Sequence, residues 1–191
     1  MKKFLLLLTL FFGSLTAVNA ETNRIISGNQ NAKIVILAYE SLTCSHCADF
    51  HKNVYPQLKK DYIDTGLAKI EFRHFPLDAA AFNASKIIQC KHDQGMEILE
   101  SLYSNQQAWI KGNTIEQVNN NLQKFIEKEG FQVNFEKCIN NKKIEEFVLN
   151  DRIEGVKNFK VNATPTIIIN DKKFEKSLNY KNLKETLEKL I

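Results

Sequence analysis

The stretch from Ile34 to Leu58 constrains the fold more than any other part of the chain. The apolar run Ile34-Val35-Ile36-Leu37-Ala38-Tyr39 reads as a buried strand. Glu40-Ser41-Leu42-Thr43 lead from it to Cys44-Ser45-His46-Cys47, and Val54 and Leu58 follow at helical spacing. A strand that delivers Cys-x-x-Cys to the first turn of a helix is the arrangement of thiol redox chemistry. Positions i and i+3 share one helix face, so the two sulfurs can attack one another or close a disulfide. Free N–H groups and a positive potential at the helix start favour a thiolate at Cys44.

The rest of the chain completes this unit in two pieces. Ala68 to Phe75 alternates apolar and polar residues and reads as a second strand ended by Pro76. With the helix between them, kinked where Pro56 removes an N–H, the two strands form a parallel β-α-β unit. From Asp78 to about Phe159 the pattern is helical. Thr114 caps one helix with Gln117 in the capping-box position, and Ile115, Val118, Leu122, Phe125 and Ile126 give its apolar face. A later helix from about Asn141 is expected to bury Ile144, Phe147, Val148, Ile153 and Val156. Strand character returns at Thr166 to Ile169, followed by a turn at Asn170-Asp171-Lys172 and a returning strand over Lys173 to Lys176. Tyr180, Leu183, Leu187 and Leu190 then mark a terminal amphipathic helix. The order β-α-β, helical block, β-β-α predicts an α/β chain with a thioredoxin fold, residues 34–77 and 160–191. A helical domain, residues 78–159, is inserted between its halves.

The first twenty residues lie apart from this plan. Lys2 and Lys3, the apolar core from Phe4 to Phe12 and the small-residue end at Val18-Asn19-Ala20 describe a secretory signal over residues 1–20. Residues 21–33 read as a short, loosely packed polar leader. Without Lys2 and Lys3, 24 Lys and Arg face 22 Asp and Glu, a net charge of +2. No basic run is interleaved with aromatics, so nucleic acid is not an expected partner. Export leads to an oxidising compartment, where four cysteines need partners. A mature chain of about 170 residues buries a core without staples, which leaves one pair free for chemistry.

Cys44 is the expected attacking and leaving sulfur and Cys47 the inner, resolving one. Ser45 and His46 lie between them as candidates for tuning the thiolate, His46 through its charged form. Cys44, Cys47 and His51 also fall at i, i+3 and i+7, a zinc-like spacing that lacks a fourth ligand. No metal and no cofactor is expected, because the two sulfurs carry the electrons. Thr164-Pro165 stands at the start of an apolar strand, where a missing N–H is tolerated. Cys90 and Cys138, 48 residues apart, belong to no Cys-x-x-Cys, and a structural disulfide is their simplest reading. His74 reads as a core or edge residue.

Tyr39, Cys44-Ser45-His46-Cys47, Phe50, Phe72-Arg73-His74-Phe75-Pro76-Leu77 and Ala163-Thr164-Pro165-Thr166 together resemble the DsbA family of exported thiol oxidases. The resemblance is closest to alphaproteobacterial forms and spans about residues 30–191. It implies a periplasmic oxidase that donates its disulfide to reduced exported proteins, with a quinone-linked membrane oxidase similar to DsbB restoring it; residues 21–33 are too short for an association domain, which favours a monomer. The family's nucleophile falls on Cys44, its resolving cysteine on Cys47 and its cis-proline on Pro165, with the Thr164 backbone binding substrate. The chain departs from the best-known members at Ser45, where they carry proline. It also has Ala38 where they often carry a buried acid, with Glu40 two residues on. A disulfide isomerase or reductase would use the same residues. A secreted binding or structural protein with two inert disulfides is the alternative from another class.

Overall fold

In the computed structural model, residues 23–191 are described. The expected signal sequence, residues 1–20, lies outside them. β2 (Ile34–Glu40) and β3 (Ala68–His74) run parallel, from Ile34 opposite Ala68 to Glu40 opposite His74. β2 is buried almost throughout, as a strand covered on both faces must be, while β3 alternates buried and half-buried residues. β4 (Thr166–Ile169) lies antiparallel on the other side of β2, and the short β5 (Lys172–Lys173) closes that edge. Asn170 and Asp171 both take positive φ, the conformation that two-residue hairpin turns require. The returning strand begins at Lys172, one residue earlier than the sequence pattern suggests.

The leader differs from expectation. Residues 25–28 are not loose but form β1 (Ile25–Gly28), which pairs antiparallel with β3. The sheet order is therefore β1-β3-β2-β4-β5. Ile25 is buried and the other residues of β1 are less so, which is why a polar composition conceals a strand. β3 would otherwise present an open edge. Gly28 sits at φ 103, where a Cβ would lie 2.8 Å from both the Ala68 carbonyl oxygen and the Ile63 side chain.

The helical run after β2 is interrupted rather than simply kinked. α1 (Ser45–Asp49) passes into a π-helical turn, Phe50–Val54, then α2 (Tyr55–Leu58) and a second π turn, Lys59–Ile63. Pro56 lacks the N–H that would close an α turn onto Lys52, and the wider turn carries the helix past it.

Between β3 and β4 come α3 (Ala79–Cys90), α4 (Gly95–Ser104), α5 (Gln106–Trp109), α6 (Ile115–Lys128), α7 (Phe135–Ile139) and α8 (Lys142–Phe159). Side chains of Asp78, Thr114, Asn134 and Asn141 accept N–H groups at the starts of α3, α6, α7 and α8. The Thr114 box is only half formed, because Gln117 accepts from Asn113 N–H rather than from Thr114 N–H. A terminal helix, α9 (Tyr180–Leu187), buries Leu183 and Leu187 and leaves Leu190 exposed.

On α8 the buried face is not the one the apolar residues suggest. Ile144 and Val148 are buried, but Ile153 and Val156 are 58% and 48% exposed, and Asp151 and Gly155 face inward instead. Gly155 allows close approach to Tyr39, whose ring lies 2.7 Å from where a Cβ would stand. Asp151 accepts hydrogen bonds from the Arg24 guanidinium, from Arg73 at 3.3 Å and from the His74 backbone N–H at 3.0 Å. These long-range partners turn the helix about its axis. His74 itself is buried. Its pKa falls to about 4 through loss of solvent, against an opposing hydrogen bond with the Gln89 side chain.

Removing the Asp151 carboxylate leaves two arginines and a buried N–H without their shared acceptor. Asp151→Ala is expected to lower stability by about 3 kcal/mol, read from the urea midpoint at neutral pH. A loss under about 0.5 kcal/mol would show that solvent replaces the carboxylate.

Candidate active site

The loop from β2 to α1 fixes the first sulfur from several sides. Cys44 is the N-cap of α1, with extended φ and ψ of −77° and 120°. Its N–H donates to Ser41 O at 3.0 Å, and its own carbonyl accepts from Cys47 N–H and Ala48 N–H, both at 3.2 Å. The Thr43 hydroxyl donates to Asp78 Oδ2 at 2.7 Å, and Leu77 N–H donates to Ser41 Oγ at 3.2 Å. The entry to α3 and the strand-to-helix loop therefore brace each other.

The dithiol pair is free, with Cys44 half-buried and Cys47 buried. Cys44 has its pKa lowered to about 5. The largest cause is the hydrogen bond from the Cys47 side chain, partly opposed by desolvation. The Thr164 side chain and the backbone N–H groups of Cys47 and His46 lower it further, as donors at a helix start should. Thr164 acts in both directions. Its carbonyl accepts the Cys44 S–H at 3.3 Å, which favours the thiol, while its hydroxyl, otherwise unpartnered, favours the thiolate. Cys47 is pushed far up by burial, by its hydrogen bond to Cys44 and by the charge of Glu40. One sulfur is thus an anion at neutral pH and the other a thiol.

Ser45 and His46 are both exposed. His46 reaches the sulfur through its backbone N–H, and its ring lines a cleft of about 290 Å³. Thr164, Pro165 and Leu178 form another part of that cleft. The Thr164–Pro165 peptide bond is cis, and β4 begins at Thr166, whose hydroxyl donates to Ala163 O at 2.7 Å. The structure therefore places His46, Thr164 and Pro165 on one cleft, with the Cys44 sulfur against Thr164 and Cys47 buried behind it. It joins Cys90 to Cys138 elsewhere, in a disulfide between the end of α3 and α7. Among the described residues no group of three or more His, Cys, Asp and Glu side chains is placed to hold a metal.

Two features escape the sequence reading. Glu40 is 5% exposed and its Oε2 lies 2.8 Å from His51 Nε2. The His51 ring stacks on Tyr103 with centroids 4.3 Å apart. His51 is one helical turn beyond Cys47, a spacing that puts it on the same helix face. Its carboxylate partner follows Ala38 by two residues, on the same face of β2. Glu40 Oε1 and His51 Nδ1 are buried without a protein partner. The second missed residue is Gln106, whose Nε2 donates to Leu42 O at 2.8 Å and to Cys44 O at 2.9 Å. Nothing in its local pattern marks it.

The chain is similar to known proteins over most of its described length. The family model described as Thioredoxin matches residues 20–189. The crystal structure of alpha-DsbA1 from Wolbachia pipientis is 30% identical and superimposes with a TM-score of 0.76, over 88% of this chain and 90% of that one. Disulfide bond formation protein D of Bacillus subtilis is 26% identical over 86% of this chain and 75% of its own length. A Rickettsia bellii protein whose name includes protein-disulfide oxidoreductase is 28% identical over 78% of this chain. The chain spans 58% of that relative's length. Among the described residues no helix is long and apolar enough to cross a membrane. The chain belongs to the thioredoxin family, in its DsbA branch.

Proposed function

We propose that the chain is a periplasmic dithiol oxidase that passes the Cys44–Cys47 disulfide to reduced exported proteins. The carrying observation is the division of the pair into a stabilised Cys44 anion and a buried Cys47 thiol. A substrate thiolate attacks the Cys44 sulfur of the disulfide. The Cys44–Cys47 bond breaks, its electron pair goes to Cys47, and Cys47 takes up a proton. A second substrate thiolate then attacks the substrate sulfur of the mixed disulfide and releases Cys44 as thiolate. The substrate loses two electrons and the dithiol gains them. Because a thiolate of low pKa leaves readily and is stable once formed, this environment favours donation of the disulfide.

The cleft beside Cys44 supports a role for Thr164 and Pro165 in receiving an extended substrate segment, main chain to main chain. Cys90–Cys138 serves as a structural bond. Residues 34–77 with 160–191 act as the redox domain and 78–159 as its insertion. A DsbB-like quinone-linked membrane oxidase would withdraw the electrons, and one active site suffices, in keeping with a monomer. The signal-like start of the sequence supports export.

The equilibrium with glutathione tests the direction. A disulfide more oxidising than glutathione supports the donor role; one more reducing would make the chain a reductase, and inertness would leave it a binding protein. His46→Ala removes the ring but keeps the backbone N–H that reaches the sulfur. It is therefore expected to raise the Cys44 pKa by less than about one unit, as measured from thiolate absorbance against pH. A larger shift would mean that the imidazolium, not the helix start, holds the anion.

A further inference from the structure

We propose that Gln106 is a positioning residue for thiol–disulfide exchange: its carboxamide reaches from the helical insertion to fix the loop that presents the Cys44 sulfur. The inference rests on that exchange taking place at Cys44 and does not depend on its direction.

Gln106 opens α5 and is 6% exposed, unusual for a glutamine. Both groups near its Nε2 are carbonyl oxygens, of Leu42 and Cys44, so the nitrogen must face them. One side chain thus spends both of its N–H donors on the same loop. The Cys44 carbonyl is also the first acceptor of α1, taking the N–H groups of Cys47 and Ala48. Its direction sets how α1 starts, and with it where the N–H groups of His46 and Cys47 point relative to the sulfur.

The clamp is anchored on the side of the insertion. Trp109, fully buried in the same short helix, donates its indole N–H to Leu102 O at 3.0 Å and ties α5 to α4. Ala108 N–H donates to Asn105 O at 2.8 Å at the turn into α5. Gln106 also lines a cleft of about 690 Å³ between the start of α1 and α5. The arrangement therefore holds the loop across a gap rather than through continuous packing. Without the carboxamide, two carbonyls beside the sulfur lose a shared donor and the first turn of α1 is free to tilt.

Gln106→Met keeps the length of the side chain and removes its donors. It is expected to raise the Cys44 pKa and to shift the glutathione equilibrium toward a less oxidising disulfide by about threefold to tenfold, the worth of one or two hydrogen bonds. Trp109→Phe loosens the same helix but leaves the carboxamide in place. It should lower thermal stability while keeping both redox quantities within about twofold of the parent. Gln106→Leu, which also lacks the donors and adds no charge, gives the same readouts should the methionine variant not fold, and is expected to shift them in the same direction. If the Gln106 variants that fold lose only thermal stability, with the pKa and equilibrium unchanged, Gln106 is a strut and the proposal is wrong. If Trp109→Phe moves the redox quantities equally, loosening of the insertion is the cause and the proposal is again wrong. A parent protein inert toward glutathione overturns the oxidase reading itself, a separate result.

Discussion

Replacing Cys44 by serine is expected to abolish disulfide exchange, while Cys47→Ala should trap mixed disulfides with substrate thiols. In the reduced parent protein, thiolate absorbance should rise with a midpoint at pH about 5, and a single sulfur should account for it. Cys47 does not contribute, because burial and the neighbouring Glu40 carboxylate hold its proton well above that range. The Cys47 side chain is also the largest cause of the low Cys44 value. In Cys47→Ala the Cys44 midpoint should therefore move up, further than in His46→Ala. An unshifted midpoint in Cys47→Ala would locate the stabilisation in the backbone N–H groups alone.

The same property links redox state to pH. A cysteine whose pKa is depressed in the folded state stabilises that state fully above its unfolded value, near 9. The contribution declines as pH falls and is gone below about 5. Allowing for partial exposure of the sulfur, the reduced form gains about 1–2 kcal/mol at pH 7 from this source. The disulfide form has no titrating sulfur at this position. The stability of the reduced protein relative to the oxidised one should thus fall by that amount between pH 7 and pH 4. Urea midpoints of both forms at each pH measure it, and other titrating groups largely cancel in the difference. A difference independent of pH would contradict the low Cys44 value.

What the sequence shows well is what depends on neighbours along the chain. β2, the cysteine-bearing helix start and β3 follow from periodicity and from two cysteines at fixed spacing. The helices between β3 and β4 follow from a long absence of strand pattern. What it hides depends on contacts between distant segments. β1 is four residues within a polar leader, with Ile25 alone buried, and only the open edge of β3 gives it a partner. Ile153 and Val156 look like core residues because apolar spacing counts methyl groups. The axial rotation of α8 is set instead by Asp151, which meets Arg24 and Arg73 from other elements, and by a glycine against Tyr39. Glu40 and His51 illustrate the same limit within the site. Each sits on a face that periodicity identifies, yet their 2.8 Å contact needs the strand and the helix to be packed first. Gln106 is the extreme case, 62 residues from the cysteine whose carbonyl it holds.

Removing the second cysteine pair should have the largest effect on stability. Cys90 and Cys138 close a loop with a sequence separation of 48. In the chain-entropy account, a link of that length restricts the unfolded chain by about 4 kcal/mol. The packing around it is arranged to retain the joint. Lys86, one turn before Cys90 and itself buried, donates to Ile139 O at 2.7 Å, next to Cys138, and its ammonium lies 4.7 Å from the Phe82 ring centroid. Those contacts should persist in Cys90→Ser with Cys138→Ser, so the helices stay docked and the loss falls mainly on the unfolded state. A fall in the thermal midpoint of about 8–16 °C is expected for a chain of this size. In the parent protein, limiting reductant should open Cys44–Cys47 first. An attacking thiolate must reach a sulfur, and Cys138 is buried while Cys44 is half-buried and its sulfur lies 3.3 Å from the carbonyl of Thr164, which lines a cleft. Differential alkylation followed by peptide mapping reads the order. Labelling of Cys90 or Cys138 together with Cys44 would mean that the two pairs exchange electrons, and the division between a working and a structural disulfide would fall.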